Sequence, residues 1–141
     1  MQHIILAFII SATPLNTAFA ESSNIKKYKQ VYVEQITPIL KKQFAIALEQ
    51  EPDPEAKLKF VAEGMANCQI ETLSAYPQKY QDASITPVAE GGKLSEVTKD
   101  VNEMMKIDIE SGRISEEDFK AMLESATEKH IACTKALEKQ L

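Results

Sequence analysis

The chain predicts an all-α fold: a small bundle of four to five helices, with one disulfide joining the second and the last long helices. Three observations carry that expectation. Apolar residues recur at steps of three and four through most of the chain after residue 23. Helix starts are spelled out at Asp53-Pro54 and at Ser115-Glu116-Glu117-Asp118. Both cysteines of the chain, Cys68 and Cys133, fall on apolar helical faces.

The first element precedes the bundle. Met1 to Ala20 contains no Asp, Glu, Lys or Arg. Its apolar run, Ile4 to Ile10, is shorter than the roughly 20 residues a membrane span needs. Ala18-Phe19-Ala20 supplies a small-x-small cleavage site, and Glu21-Ser22-Ser23 turns hydrophilic at once. This order predicts a cleaved secretory signal peptide over residues 1–20, although Met1-Gln2-His3 carries no Lys or Arg. Residues 21–141 then form a single helical domain, expected in the periplasm, with full secretion as the alternative. In an oxidising compartment, two cysteines pair as a disulfide rather than hold a metal.

Composition narrows the partners. With 16 basic and 21 acidic residues the net charge is −5, and no basic cluster interrupts it. That balance argues against nucleic acid and against an anionic lipid surface. No second apolar run approaches membrane-spanning length, so no span is expected after signal cleavage.

Residues 24–51 carry a helical stripe from Ile25 and Tyr28 to Leu48, interrupted by Thr37-Pro38. Proline inside a helix removes a hydrogen bond, so the spacing predicts either one kinked helix or two short ones meeting near Thr37. Glu51-Pro52-Asp53-Pro54 stops that segment and opens the next, with Asp53 as N-cap. The second helix is expected over Pro54–Tyr76, with Leu58, Val61, Ala62, Met65, Cys68, Thr72, Leu73 and Tyr76 inward. Gly64 permits a close helix approach, and Pro77 ends the element. Tyr80 to Lys93, with Pro87, Gly91 and Gly92, is expected to be the long loop of the domain. Ser95 then caps a helix to about Glu110, and Gly112 suits the left-handed position that follows a helix. The last helix, Ser115–Leu141, places Phe119, Met122, Leu123, Ala126, Cys133, Leu137 and Leu141 on one face, so Cys133 is expected to point inward.

The candidate sites are few. Residues 111–119 resemble the second half of an EF-hand calcium loop, with Gly112 at the turn and Asp118 six residues on. Aligned on Gly112, however, Ile107 and Ile109 occupy ligand positions, and a Gly C-cap followed by a Ser N-cap accounts for the same residues. Cys68, His130 and Cys133 could supply soft metal ligands, but a disulfide with His130 beside it is the expectation. Met65, Met104, Met105 and Met122 read as core filler, with one of the adjacent pair Met104-Met105 left at the surface. His130 is the only histidine after cleavage, and no catalytic motif accompanies it. No catalytic residue, cofactor or metal is therefore expected.

Small exported helical domains without catalytic equipment act by contact. The expected function is binding of one protein partner, as an inhibitor or immunity-type protein or as an accessory chaperone. The residues expected to meet it are Tyr76, Tyr80 and Lys93, because aromatics at a loop anchor interfaces. Two alternatives are a small-molecule or lipid carrier with an interhelical cavity, and a metal-binding domain built on the 111–119 turn. The layout resembles the disulfide-bonded helical immunity proteins of bacterial toxin systems in size, export and helicity. No motif carries that resemblance residue by residue.

Overall fold

The computed structural model describes residues 22–140, so the expected signal peptide and Leu141 lie outside the described residues. The described chain is all-helical: α1 (Ser23–Gln43), the single turn α2 (Ala45–Leu48), α3 (Pro54–Leu73), α4 (Gln78–Ala89), α5 (Leu94–Glu110) and α6 (Glu116–Glu138). The five longer helices pack as neighbours in the order α5, α4, α1, α3, α6. The central position of α1 follows from its two apolar ends. Tyr28 enters a core with residues of α3, α4 and α5, whereas Leu40 closes a smaller one with Leu58 and Ala62 of α3. The N-terminal half of α1 thus meets the C-terminal half of α3, and the two helices run antiparallel.

α1 passes through Pro38 without ending. Pro38 lacks the N–H that would bond Glu34, but both residues are exposed, so water can satisfy that carbonyl. One residue earlier the Thr37 hydroxyl donates to the Val33 carbonyl at 2.7 Å. The break comes later, at Phe44. The Asp53 carboxylate accepts from the Ala56 N–H at 3.0 Å, so α3 starts where the Asp-Pro pair placed it. It ends at Leu73, three residues short of Tyr76.

The expected loop over residues 80–93 is mostly helix. Tyr80, Ile85 and Val88 are all buried, and their burial against α1 and α5 outweighs a proline in the last turn. Pro87 lies where a helix can lose one bond cheaply, and its own carbonyl accepts from the Gly92 N–H at 2.9 Å to close the turn. Gly91 supplies the positive φ of +95° that this turn requires.

Nor does Ser95 cap α5. The helix begins at Leu94, with Lys93 in the cap position and no side-chain bond of its own. The cap comes from α1: the Gln35 side-chain oxygen accepts from the Leu94 N–H at 2.9 Å, while its amide nitrogen donates to the Gly92 carbonyl at 2.8 Å. Gly112 takes φ +72° after α5, and the Ser115 hydroxyl accepts from the Asp118 N–H at 3.0 Å at the start of α6, both as expected.

α6 lies at the edge of the bundle. Cys68 and Cys133 form a disulfide with Cα atoms 5.4 Å apart, which ties α6 to α3. Gly64 lets α6 approach closely, since a Cβ there would stand 2.4 Å from Leu137 Cδ1. Of the apolar face expected to point inward, only Ala126 is fully buried; Phe119, Met122, Cys133 and Leu137 are half-buried, and Leu123 is exposed. The reason is that α6 has one extended neighbour, α3, so half of its stripe has nothing to pack on. Met105 is buried and Met104 exposed, as their adjacency requires.

Candidate functional site

A groove of about 500 Å³ lies between α1, α3, α4 and α5. It brings together all four tyrosines of the chain: Tyr28 and Tyr32 from α1, Tyr76 from the segment after α3, and Tyr80 from α4. Leu73, Val88, Val97, Val101 and Met105 complete the apolar walls. Gln69, Ser84, Ser95, Thr98 and Asn102 supply neutral polar groups, and no charged side chain lines the groove. By contrast, a more open depression on another part of the α1–α3 seam is lined by Lys26, Lys29, Glu34 and Glu63.

The aromatic wall starts with local spacing. Tyr28 and Tyr32 stand four apart on α1, so they share one face, and their ring centroids are 5.9 Å apart with a tilted arrangement. Tyr28 is only 2% exposed and carries no hydrogen bond to any described residue. No fully enclosed side-chain polar atom among the described residues lacks a partner, so the hydroxyl of Tyr28, a residue of the groove lining, is not fully enclosed. Burial, reinforced by Tyr32, pushes its ionisation well above the ordinary phenol range. Burial also raises Tyr32 and Tyr76.

Tyr80 is held differently. Its hydroxyl donates to Asp108, a carboxylate buried near the end of α5. Asp108 also accepts from Lys79 Nζ and, at 2.6 Å, from Arg113 Nε. Lys79 lies over the Tyr80 ring, 4.7 Å from its centroid. These donors, Lys79 first, then Tyr80 and Arg113, hold the Asp108 carboxyl down at about 2. Burial and the adjacent carboxylate both push the Tyr80 phenol up. The cluster locks the start of α4 to the end of α5 and so fixes one end of the groove.

Of the residues expected to meet a partner, Tyr76 and Tyr80 share this groove, whereas Lys93 stands outside its lining. Lys93 is exposed and pairs with Glu96 at 3.1 Å. Tyr80 is a core residue on a helix, not the loop-borne anchor that was expected. Tyr28 and Tyr32 join the wall without having been expected there; the signal that marks them is the four-residue spacing that Tyr28/Tyr32 and Tyr76/Tyr80 share. Around the 111–119 turn Asp108 is committed to Lys79, Tyr80 and Arg113, and no three metal-ligating side chains converge among the described residues. His130 Nδ1 lies 3.4 Å from the Thr72 hydroxyl, and both cysteine sulfurs are consumed in the disulfide.

The arrangement can seat an uncharged, largely apolar body. It offers no carboxylate, imidazole or amine that could act as a general base on it. No known protein family, curated protein or solved structure matches this chain.

Proposed function

We propose that the protein is a non-enzymatic, exported binding protein that carries a small neutral molecule in the groove between α1, α3, α4 and α5. The supporting observation is the lining: a cavity of about 500 Å³ without one charged side chain, in a chain where 26% of residues are charged. Sites for small ligands have roughly this size, with apolar walls and a few polar groups. Export is supported by the Met1–Ala20 pattern and by the disulfide, which suits an oxidising compartment such as the periplasm. The test is native mass spectrometry of the protein purified without denaturant, with organic extraction of whatever it holds. A defined small molecule at one per chain, lost in a Ser84→Trp variant that fills the groove, is the expected result. Protein recovered repeatedly without any such molecule, and unable to take one up, would remove this reading.

A different observation favours the protein-contact reading, as an inhibitor, immunity-type protein or accessory chaperone. Ile39, Phe44 and Ile46, within eight residues at the α1–α2 junction, are 54%, 48% and 79% exposed. Affinity capture with the wild-type chain and with Ile46→Glu distinguishes the two. A single stoichiometric protein lost only in Ile46→Glu supports contact through this junction; a partner retained by that variant excludes the junction.

A further inference from the structure

Building on the groove reading above, we infer that the occupant is an uncharged amphipathic molecule that presents a hydrogen-bond acceptor to the Tyr28 hydroxyl. Three hydroxyls of the lining are committed within the protein. The Tyr80 hydroxyl serves Asp108, the Ser84 hydroxyl donates to the Tyr80 carbonyl at 2.8 Å, and the Thr72 hydroxyl donates to the Cys68 carbonyl at 2.8 Å. Tyr28 lines the groove and is as buried as Tyr80, yet its hydroxyl has no partner among the described residues and is not fully enclosed. The phenol O–H is the stronger of its hydrogen-bonding functions and has nothing to donate to, so the group that completes it is an acceptor such as a ketone, ester, ether or hydroxyl oxygen.

The same surroundings set the charge of the occupant. The charges at the end of the groove, Lys79, Arg113 and Asp108, are paired with one another and stand outside its lining. A charged ligand would therefore leave water for a lining that offers it no counter-charge. The body that accompanies the acceptor is apolar, because Leu73, Val97, Val101 and Met105 face it.

Three fluorescent naphthalenes test this on the purified oxidised protein. Prodan is uncharged and carries a ketone; N-phenylnaphthylamine is uncharged without one; anilinonaphthalene sulfonate has the amine's body plus a negative charge. Both uncharged probes are expected to bind and to be lost in Ser84→Trp, with the sulfonate roughly tenfold weaker or worse. Tyr28→Phe is expected to weaken prodan roughly three- to tenfold, the value of one hydrogen bond, and to leave the amine unchanged. The unchanged amine also shows that the variant retains a folded groove. If the amine binds but prodan ignores Tyr28→Phe, or the sulfonate equals the amine, the ligand class is wrong while the groove reading stands. If neither uncharged probe binds, or both survive Ser84→Trp, the groove reading fails and this inference falls with it.

Discussion

The Tyr80 hydroxyl donates to the Asp108 carboxylate across the α4–α5 interface, and that contact sets the geometry at one end of the groove. Its charge state is testable through pH. The Asp108 carboxyl is lowered from 3.8 to about 2 in the fold, chiefly by Lys79 and then Tyr80. A depressed carboxyl stabilises the fold above its unfolded value and loses that contribution as pH falls through the folded one. The urea midpoint of the wild type should therefore drop between about pH 4 and pH 2. Asp108→Asn should be less stable at neutral pH, and its deficit should shrink over that window. A deficit constant from pH 7 to pH 2 would show that no charge is stabilised there.

The Cys68–Cys133 bridge should matter more than its single bond suggests, because α6 packs extensively on α3 alone and fully buries only Ala126. The cysteines are 65 residues apart, and a loop of that length restricts the unfolded chain by about 4 kcal/mol in the chain-entropy picture. Replacing both cysteines with alanine should lower stability by about that amount. Amide exchange should accelerate first in the C-terminal half of α6, around Lys129 to Glu138, ahead of α1. Uniform acceleration across the chain would mean that α6 is not the separable element.

The parts of this fold legible in the sequence are those with local causes. Asp53-Pro54 and Ser115 to Asp118 name their helix starts because the cap lies within three residues of the N–H it serves. The paired cysteines were legible because each sits on an apolar face. α4 was hidden because Pro87, Gly91 and Gly92 dominate the local signal, whereas its cause is the burial of Tyr80, Ile85 and Val88 by distant helices. The α5 cap was hidden for the same reason, since Gln35 reaches Leu94 across 59 residues. The stripe on α6 announced a packing face but not how much partner there is to cover it. The groove needed four helices to exist, so its tyrosines were visible as residues and invisible as a wall.

Gln35 offers a clean test of such a long-range cap. It bonds the Gly92 carbonyl with its nitrogen and the Leu94 N–H with its oxygen, both partly buried. Gln35→Ala removes both bonds and should destabilise the protein by about 1–3 kcal/mol. Gln35→Glu keeps the acceptor for the helix N-terminus but replaces the donor with a second acceptor facing a carbonyl, so it should recover only part of the loss. Urea unfolding of the three proteins decides it: equal stability of Gln35→Glu and wild type would show that the Gly92 bond contributes nothing. Gly92 itself should resist substitution, since a Cβ there would stand 2.7 Å from the Pro87 carbonyl oxygen.

The tyrosine wall should make the fold sensitive to alkali. Ionisation of Tyr28, Tyr32, Tyr76 and Tyr80 is raised in the folded chain, chiefly by burial. For a group whose folded value lies above its unfolded one, the stabilisation is complete below the unfolded value, here about pH 10, and is lost as pH rises beyond it. Each phenol that stays protonated in the fold but ionises in the unfolded chain steepens the fall in stability by about 1.4 kcal/mol per pH unit. Urea midpoints measured from pH 9 to pH 12 should therefore be flat to about pH 10 and then decline steeply. Phenolate absorbance should rise together with the loss of helical circular dichroism rather than before it. Tyr28→Phe removes the most strongly shifted phenol and should make the decline shallower by about one such increment. Phenolate appearing near pH 10 for all four tyrosines while the helices remain intact would place their hydroxyls in ordinary water, and the dry aromatic wall with it.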